Sequence, residues 1–184
     1  MKNIVFFGDS LTAGYGLAKA NLESIPALIQ NKINNEGLVY HFVNAGVSGD
    51  TSAGGLDRVA KVLDQQIDVF VLELGANDIL RNISPEATFR NLQSIISIVR
   101  DKFPKVKLVL LGMELPMWLP GQRAADFRFI FRKLAEINEM TFIPFLLEGV
   151  AGVKHLNLPD GLHPLASGYQ IIAAKIWPFI KAIL

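Results

Sequence analysis

The sequence contains no cysteine, which excludes disulfides and thiolate metal ligands. No apolar run approaches the ~18 residues of a membrane-spanning helix, so no integral membrane association is expected. The apolar run at residues 4–7 is too short to be the core of a signal peptide. As written, the chain is expected to be soluble and cytoplasmic, or periplasmic or secreted if a leader was removed from a longer precursor.

An excess of charge of one sign is also missing, because 18 Lys and Arg balance 17 Asp and Glu. The basic residues are scattered along the chain, so no nucleic-acid partner is predicted. No glycine-rich dinucleotide pattern and no Walker pattern follows a strand-like run. No spacing typical of metal ligands is present either. The sequence therefore predicts no cofactor and no metal, and it makes no prediction of oligomeric state.

What is present is an alternation of short apolar runs with segments of helical periodicity, over 184 residues of which 51% are hydrophobic. This length favours a single domain over residues 1–184, and the alternation predicts an α/β fold in three layers around a five-stranded parallel sheet. A chain of this size favours the flavodoxin-like strand order 2-1-3-4-5. The predicted strands are 2–7, 40–43, 68–74, 107–111 and 141–143. The predicted helices are 22–35, 52–66, 85–102, 123–139 and 166–183.

That strand order brings three distant loops together. Strands 2, 1 and 3 become neighbours, and the loops that leave their carboxyl ends carry Gly46, Ser10 and Asn77. Open α/β sheets bind ligands in the crevice at this edge. The sequence therefore predicts one site built from segments more than sixty residues apart in the chain.

Ser10 lies in the turn after strand 1, with Gly8 two residues before it. A serine exposed at such a turn can serve as a nucleophile, and its own N–H, near a helix start, favours an anion. The alternative is a helix N-cap, for which Asp9, Ser10 and Thr12 are all suitable. Taken alone, the Gly-Asp-Ser tripeptide favours the cap.

The pair Asp160 and His163 is the strongest local signal. An Asp three residues before a His can accept the Nδ1–H of the imidazole and hold its Nε2 toward a serine. With a serine turn elsewhere in the chain, we interpret the pair as catalytic rather than structural. The other two histidines, His41 and His155, are interpreted as structural and solvated.

Asn77 follows the most apolar strand and can aim its amide at a developing oxyanion. Gly46 could bring a backbone N–H to the same oxyanion. Each has a plain alternative, because Asn after Gly is an ordinary turn residue and glycines also serve tight turns. Asp78 is expected to brace the loop rather than bind the oxyanion, since a carboxylate would repel negative charge.

Together these segments resemble the SGNH branch of the GDSL hydrolases, through four blocks in order at residues 7–16, 44–52, 75–78 and 160–164. Within that branch the chain is similar to the compact bacterial arylesterase, acyl thioesterase and lysophospholipase group. The resemblance implies that Ser10 is the nucleophile and that Asp160 and His163 complete its triad. It implies an oxyanion hole formed by Ser10, Gly46 and Asn77.

One segment departs from the pattern of that group. Pro116 is followed by Met117, Trp118 and Leu119, where such proteins often continue with Pro, Asn and Gly. Three apolar residues in a loop either pack against the body of the domain or form a wall for an acyl chain. We interpret these three as substrate-binding.

The resulting hypothesis is a serine ester hydrolase that acts on a small-molecule acyl ester or thioester through an acyl-serine intermediate. One alternative uses the same site as a carbohydrate O-deacetylase or acyltransferase. The alternative from another class is a non-enzymatic flavodoxin-like binding module, which leaves the Asp160/His163 turn unexplained.

Overall fold

The computed structural model describes residues 2–114 and 120–184. Its sheet has five parallel strands in the order β2-β1-β3-β4-β5, which confirms the predicted three-layer flavodoxin-like architecture. The strands are β1 (Lys2–Gly8), β2 (Tyr40–Gly46), β3 (Val69–Glu73), β4 (Lys107–Leu111) and β5 (Thr141–Ile143).

Helices cover both faces of this sheet. One face carries the pair α3 and α8, and the other carries α4, α6 and α7 side by side. The helices are α1 (Ser10–Ala13), α2 (Ala20–Glu23), α3 (Ile25–Asn35), α4 (Ser52–Val62), α5 (Ala76–Leu80), α6 (Pro85–Lys102), α7 (Gln122–Ile137) and α8 (Ala166–Lys181), with a short 3-10 helix at Lys154–Leu156.

Most predicted elements are present, and the differences have local causes. The predicted helix 22–35 is two helices, because Pro26 lacks the N–H that would bond to the preceding turn and therefore begins α3 anew after Ser24. The short helices α1 and α5 follow β1 and β3 directly and were not predicted. Strand β2 extends three residues beyond the predicted 40–43, to Gly46.

The two central strands are buried on both faces, as their continuous apolar sequences predict. One buried residue in these strands is not apolar. Glu73, the last residue of β3, carries a carboxyl group and has no solvent exposure. A buried carboxyl group requires a specific partner, and the partner of Glu73 lies in the candidate site.

The carboxyl ends of β2, β1 and β3 are aligned. Gly8 at the end of β1 is paired with Gly46 on one side and Glu73 on the other. The loops that leave these strands therefore start at the same level, and they meet at one edge of the sheet.

In the part of the chain that the structure describes, no helix has the length and apolarity needed to cross a bilayer.

Candidate active site

The turn after β1 is shaped by close packing behind it. A Cβ atom at Gly8 would lie 2.1 Å from Thr12 Oγ1 and 2.5 Å from Glu73 Oε2, so only glycine fits. The next residue, Asp9, caps α1 by accepting a hydrogen bond from the Leu11 N–H at 3.0 Å. Asp9 is therefore the cap, and Ser10, at the first position of the helix, keeps its hydroxyl for another partner.

That partner is His163. The Ser10 Oγ lies 2.9 Å from the His163 Nε2, and the His163 Nδ1 lies 2.7 Å from the Asp160 Oδ2. With the Nδ1 hydrogen donated to the carboxylate, Nε2 is left to accept the serine hydroxyl hydrogen. The structure thus places the three residues predicted for a triad in one hydrogen-bonded chain, across 153 positions of sequence.

Asp160 is held in place by its own turn. Its Oδ1 accepts hydrogen bonds from the backbone N–H groups of Leu162 and His163, at 2.9 and 3.0 Å. These contacts, led by the hydrogen bond from the His163 side chain, lower the pKa of Asp160 to about 2. The carboxylate is therefore ionised across the physiological range, although 39% of its side chain is exposed.

An aromatic ring covers the histidine. The Tyr15 ring lies 4.5 Å from the His163 ring, centroid to centroid, at an interplanar angle of 46°. Such a contact restricts the orientation of the imidazole. Tyr15 belongs to the first sequence block, but the sequence analysis assigned it no role, because the contact joins residues 148 positions apart.

Asn77 reaches the site, and its amide already has two acceptors there. Its Nδ2 donates to the Asp9 Oδ2 at 3.0 Å and to the backbone oxygen of Asp50 at 2.9 Å. The amide therefore links the turn after β1 to the loop after β2, and it lines the groove beside Ser10. An oxyanion at this position would share the amide with one of these two acceptors.

The assignment of Gly46 to the oxyanion hole does not fit the structure. The Gly46 N–H donates to the Asn44 Oδ1 at 3.0 Å, and a Cβ atom at Gly46 would lie 2.3 Å from the Ala13 nitrogen. Gly46 is thus required for close packing of β2 against α1. The sequence pattern did not reveal this contact, because Ala13 lies far away in the chain.

Gly49, three residues further on, lies in the loop that holds Asn77. It adopts a left-handed conformation with φ of 82°, its carbonyl oxygen accepts from Arg81 at 2.7 Å, and the next carbonyl, of Asp50, is the one that holds Asn77. Among the described residues, no acceptor is bound to the Gly49 N–H. Both glycines lie in the second sequence block.

Arg58 ties the strand ends together, a role that the sequence analysis missed. Its guanidinium donates to the carbonyl oxygens of Gly8 and Ala45, both at 2.9 Å, and pairs with Asp50 at 2.6 Å. It also lies over the Phe7 ring, 4.0 Å from the centroid. One half-buried cation therefore fixes the relative positions of the turns that follow β1 and β2.

Asp78 braces the loop, as predicted. It accepts from the Ser52 N–H at 2.8 Å, from the Ser52 Oγ at 2.5 Å and from the Thr88 Oγ1 at 3.0 Å. All three residues are fully buried. The carboxylate thus anchors the first turns of α4 and α6 beneath Asn77.

A groove of about 640 Å³ opens beside the serine and the histidine. Its walls are mainly apolar, with the polar groups of Ser10, Asn77 and His163 at one end. This combination is typical of sites that bind apolar ligands and react at one polar point. The apolar lining includes Leu11, Ile79, Leu80, Met113, Phe145 and Leu147.

The predicted substrate-binding residues Met117, Trp118 and Leu119 lie outside the described residues. Within residues 2–114 and 120–184, no cluster of three or more His, Asp and Glu side chains is arranged to hold a metal ion. The prediction of a metal-free mechanism remains a prediction.

Comparison with known proteins decides the family. The sequence profile of the GDSL-like Lipase/Acylhydrolase family matches residues 6–171. The chain belongs to this family. It is 35% identical over 184 residues to Esterase TesA of Pseudomonas aeruginosa, which covers all of this chain and 90% of that protein. It is 34% identical to the Thioesterase 1/protease 1/lysophospholipase L1 of Escherichia coli, over 92% of this chain and 79% of that protein.

The solved structures agree with the sequence comparison. The crystal structure of TesA superimposes with a TM-score of 0.92 at 34% identity, and each chain is fully covered. AlinE4, described as a SGNH-hydrolase family esterase, gives a TM-score of 0.79 at 36% identity, with 100% of this chain and 96% of that chain covered. The predicted family, fold and reaction class, the hydrolysis of ester bonds, are therefore confirmed. The family also decides against a non-enzymatic binding module.

Proposed function

We propose that the protein hydrolyses a carboxylic ester or thioester of an apolar acyl chain, with Ser10 as nucleophile, His163 as general base and Asp160 as the orienting acid. The observation that carries this proposal is the hydrogen-bonded chain from Ser10 through His163 to Asp160, at 2.9 and 2.7 Å, at the polar end of an apolar groove. These are the roles and distances that acyl transfer through a serine requires.

In the first step, the Ser10 Oγ attacks the carbonyl carbon of the substrate while its hydrogen passes to the His163 Nε2. Asp160 keeps the Nδ1 hydrogen in place and stabilises the imidazolium that forms. The imidazolium then gives its Nε2 hydrogen to the departing alkoxide or thiolate as the carbon–oxygen or carbon–sulfur bond breaks. The product is an acyl-serine.

Negative charge collects on the carbonyl oxygen during this attack. The donors suited to hold it are the Ser10 N–H, the Gly49 N–H and the Asn77 amide, which replace the predicted set with Gly46. Donors fixed before the reaction stabilise a transition state without reorganising, and each is worth about 10²–10³ in turnover. Arg58 and Asp78 hold the loops that carry these donors.

In the second step, water attacks the acyl-serine and gives a hydrogen to the His163 Nε2. The imidazolium passes this hydrogen to the Ser10 Oγ as the bond between that oxygen and the acyl carbon breaks, and the carboxylic acid leaves. The apolar lining of the groove favours an acyl chain over a sugar, since a sugar would leave its hydroxyl groups without hydrogen-bonding partners against Leu11, Met113 and Phe145. Hydrolysis of an ester or thioester with an apolar acyl chain is therefore favoured over removal of an acetyl group from a carbohydrate.

The test is the hydrolysis of a short and a long p-nitrophenyl ester by the wild type and by Ser10→Ala. We expect turnover of both esters by the wild type, a preference for the longer acyl chain, and loss of turnover in the variant with an unchanged melting temperature. Ser97→Ala is the matched control, because Ser97 is exposed on α6. Turnover by Ser10→Ala at the wild-type rate would contradict the proposal.

A further inference from the structure

Two buried carboxyl groups lie in contact directly behind the nucleophile. Asp9 and Glu73 have no solvent exposure, the Asp9 N–H donates to the Glu73 Oε2 at 3.2 Å, and the two side chains are within hydrogen-bonding reach of each other. Two ionised carboxylates in contact inside a protein repel each other without water to screen them. The pair therefore holds at least one proton.

The partners of the four carboxyl oxygens show where this proton lies. Both oxygens of Asp9 accept hydrogen bonds, from the Leu11 N–H and from the Asn77 amide, at 3.0 Å each. The Glu73 Oε2 also accepts from the Thr12 Oγ1 at 2.8 Å. The Glu73 Oε1 is buried and has no hydrogen-bond donor among the described residues.

An unpaired buried acceptor costs about 1–3 kcal/mol, and more when it is charged. A proton on Glu73 lowers this cost, because the unpaired oxygen then belongs to a neutral group and the carboxyl group gains a hydrogen to donate. A proton on Asp9 would instead neutralise the carboxylate whose two oxygens already accept hydrogen bonds. The hydrogen-bond partners of the four oxygens therefore place the proton on Glu73 and the negative charge on Asp9.

We propose that Glu73 is a neutral carboxylic acid that shares its proton with the ionised Asp9, and that this pair positions Asn77 and the nucleophile turn for the reaction. The kinetic consequence rests on the proposed function, but the location of the proton does not. Neither residue touches the substrate in this account, since the pair acts through Asn77 and through the cap of α1.

The electrostatics of the pair agree with this assignment. Burial, followed by the charge of Asp9, raises the pKa of Glu73 well above its usual range. Burial raises the pKa of Asp9 only to about 6, because hydrogen bonds from Leu11, Glu73 and Asn77 and the charge of His163 favour the carboxylate. At neutral pH one charge remains, on Asp9.

The other charged or titratable groups near the pair come from three elements. Tyr169 of α8 is buried, and burial together with the two acids raises its pKa, so it stays neutral. His163 approaches from the loop before α8, and Arg58 of α4 binds the Gly8 carbonyl oxygen beside the pair. None of these groups supplies a donor to the Glu73 Oε1.

The charge on Asp9 has a defined use. A carboxylate accepts from the Leu11 N–H and the Asn77 amide at the same time, which an asparagine side chain cannot reproduce with both of its polar atoms. A hydrogen bond to a charged acceptor is about twice as strong as one between neutral groups. Asn77 is therefore held by a strong bond that depends on the proton of Glu73.

The first test locates the proton without reference to catalysis. Protein labelled with carbon-13 at the glutamate carboxyl carbon gives a resonance for Glu73, identified by its absence from Glu73→Gln. We expect the chemical shift of a protonated acid at pH 7, unchanged between pH 6 and pH 8. The shift of a carboxylate at pH 7 would overturn the proposal.

The second test compares Glu73→Gln, Glu73→Met and Asp9→Asn with an ester substrate. Glutamine keeps a donor for Asp9 and an acceptor for Thr12, so we expect turnover within about tenfold of the wild type. Methionine has similar volume but neither group, and Asp9→Asn removes the charge. For both we expect turnover to fall by about 100-fold, the size of one oxyanion donor, with little change in KM.

A pH profile separates positioning from mere structural support. The acid limb of kcat/KM reflects every group that must lose a proton for the reaction, so the general base His163 contributes to it beside Asp9. Because the Glu73 hydrogen bond lowers the pKa of Asp9, the part of the limb that belongs to Asp9 should move to higher pH in Glu73→Met and stay in place in Glu73→Gln. An unmoved limb in Glu73→Met overturns the positioning role. High activity in Asp9→Asn with loss in Glu73→Gln overturns the assignment of the charge.

These outcomes remain distinct from failure of the proposed function. A wild type that hydrolyses no ester contradicts the esterase proposal, whereas the carbon-13 shift still reports the proton of Glu73. If Glu73→Met does not fold, the carbon-13 shift and the comparison of Glu73→Gln with Asp9→Asn still decide the question.

Discussion

Asp9 and Asp160, the two aspartates of the candidate site, are the same residue type in opposite environments. Asp9 is fully buried, and burial raises its pKa to about 6. Asp160 is partly exposed, and the hydrogen bond from His163 lowers its pKa to about 2. Residue type alone therefore does not set the charge; the number of donors and the amount of water around each carboxylate do.

The two halves of the site differ in the same way. Asp9 belongs to a half built at the ends of β1, β2 and β3, where side chains from distant segments bind one another, as Asn77 binds Asp9 across 68 positions. Asp160 belongs to a loop whose bonds to it come from within three residues. The first half can hold donors rigidly, while the second presents the base to the serine.

The largest loss of turnover should come from a substitution in the half of the site that contains Asp160. In Asp160→Asn we expect turnover to fall on the order of 10⁴-fold, because an amide no longer fixes the imidazole tautomer that accepts the serine hydrogen. The melting temperature should change little, because the side chain is exposed. The measurement is kcat with a p-nitrophenyl ester beside a thermal melt.

Asp101→Asn is the control for that change, since Asp101 is exposed near the end of α6. It should keep wild-type turnover. If Asp160→Asn kept more than a tenth of the wild-type rate, Asp160 would lose its role as the orienting acid.

A smaller effect on rate, joined to an effect on stability, is expected in the buried half. Asn77→Ala removes one of the donors proposed for the oxyanion, so turnover should fall about 10²–10³-fold. It also leaves the Asp9 Oδ2 without its donor, which should cost about 1–3 kcal/mol of the free energy of unfolding. Steady-state kinetics and urea denaturation measure the two effects separately.

Asn91→Ala provides the comparison for that prediction. Asn91 also donates one side-chain hydrogen bond, to the Ser52 Oγ at 3.0 Å, but it does not line the groove. We expect some loss of stability and no loss of turnover. Full activity in Asn77→Ala would remove Asn77 from the oxyanion hole.

Much of this architecture could be predicted because the signals were local. Helix α6 occupies the predicted range Pro85–Lys102, since Ser84 caps it and Pro85 fits its first turn. The strand order followed from length and alternation, and it brought Ser10, Asn77 and the second block together. The Asp160/His163 pair was readable because three residues separate its members.

What the sequence did not reveal depends on contacts between distant segments. Glu73 is the one acidic residue in an apolar strand, and its role was not predicted because its partner Asp9 lies 64 positions away in the chain. Gly46 and Gly49 look alike in the sequence, and they differ in the structure through the approach of α1 to Gly46 and the left-handed conformation of Gly49. Strand β2 continues through small residues without an apolar pattern, because backbone pairing with β1 is enough to extend it.

The smallest effect tests the buried acid through the pH dependence of folding. Because the folded-state pKa of Glu73 is raised, its contribution to stability is complete below its unfolded pKa and is lost as the pH rises through the folded value. Glu73→Gln has no such titration, and Asp9 titrates in both proteins. Between pH 6 and pH 7, the stability of the wild type relative to Glu73→Gln should fall as the pH rises, by at most about 1.4 kcal/mol. Denaturation curves at these two pH values provide the measurement, and a difference independent of pH would mean that Glu73 is already ionised at pH 6.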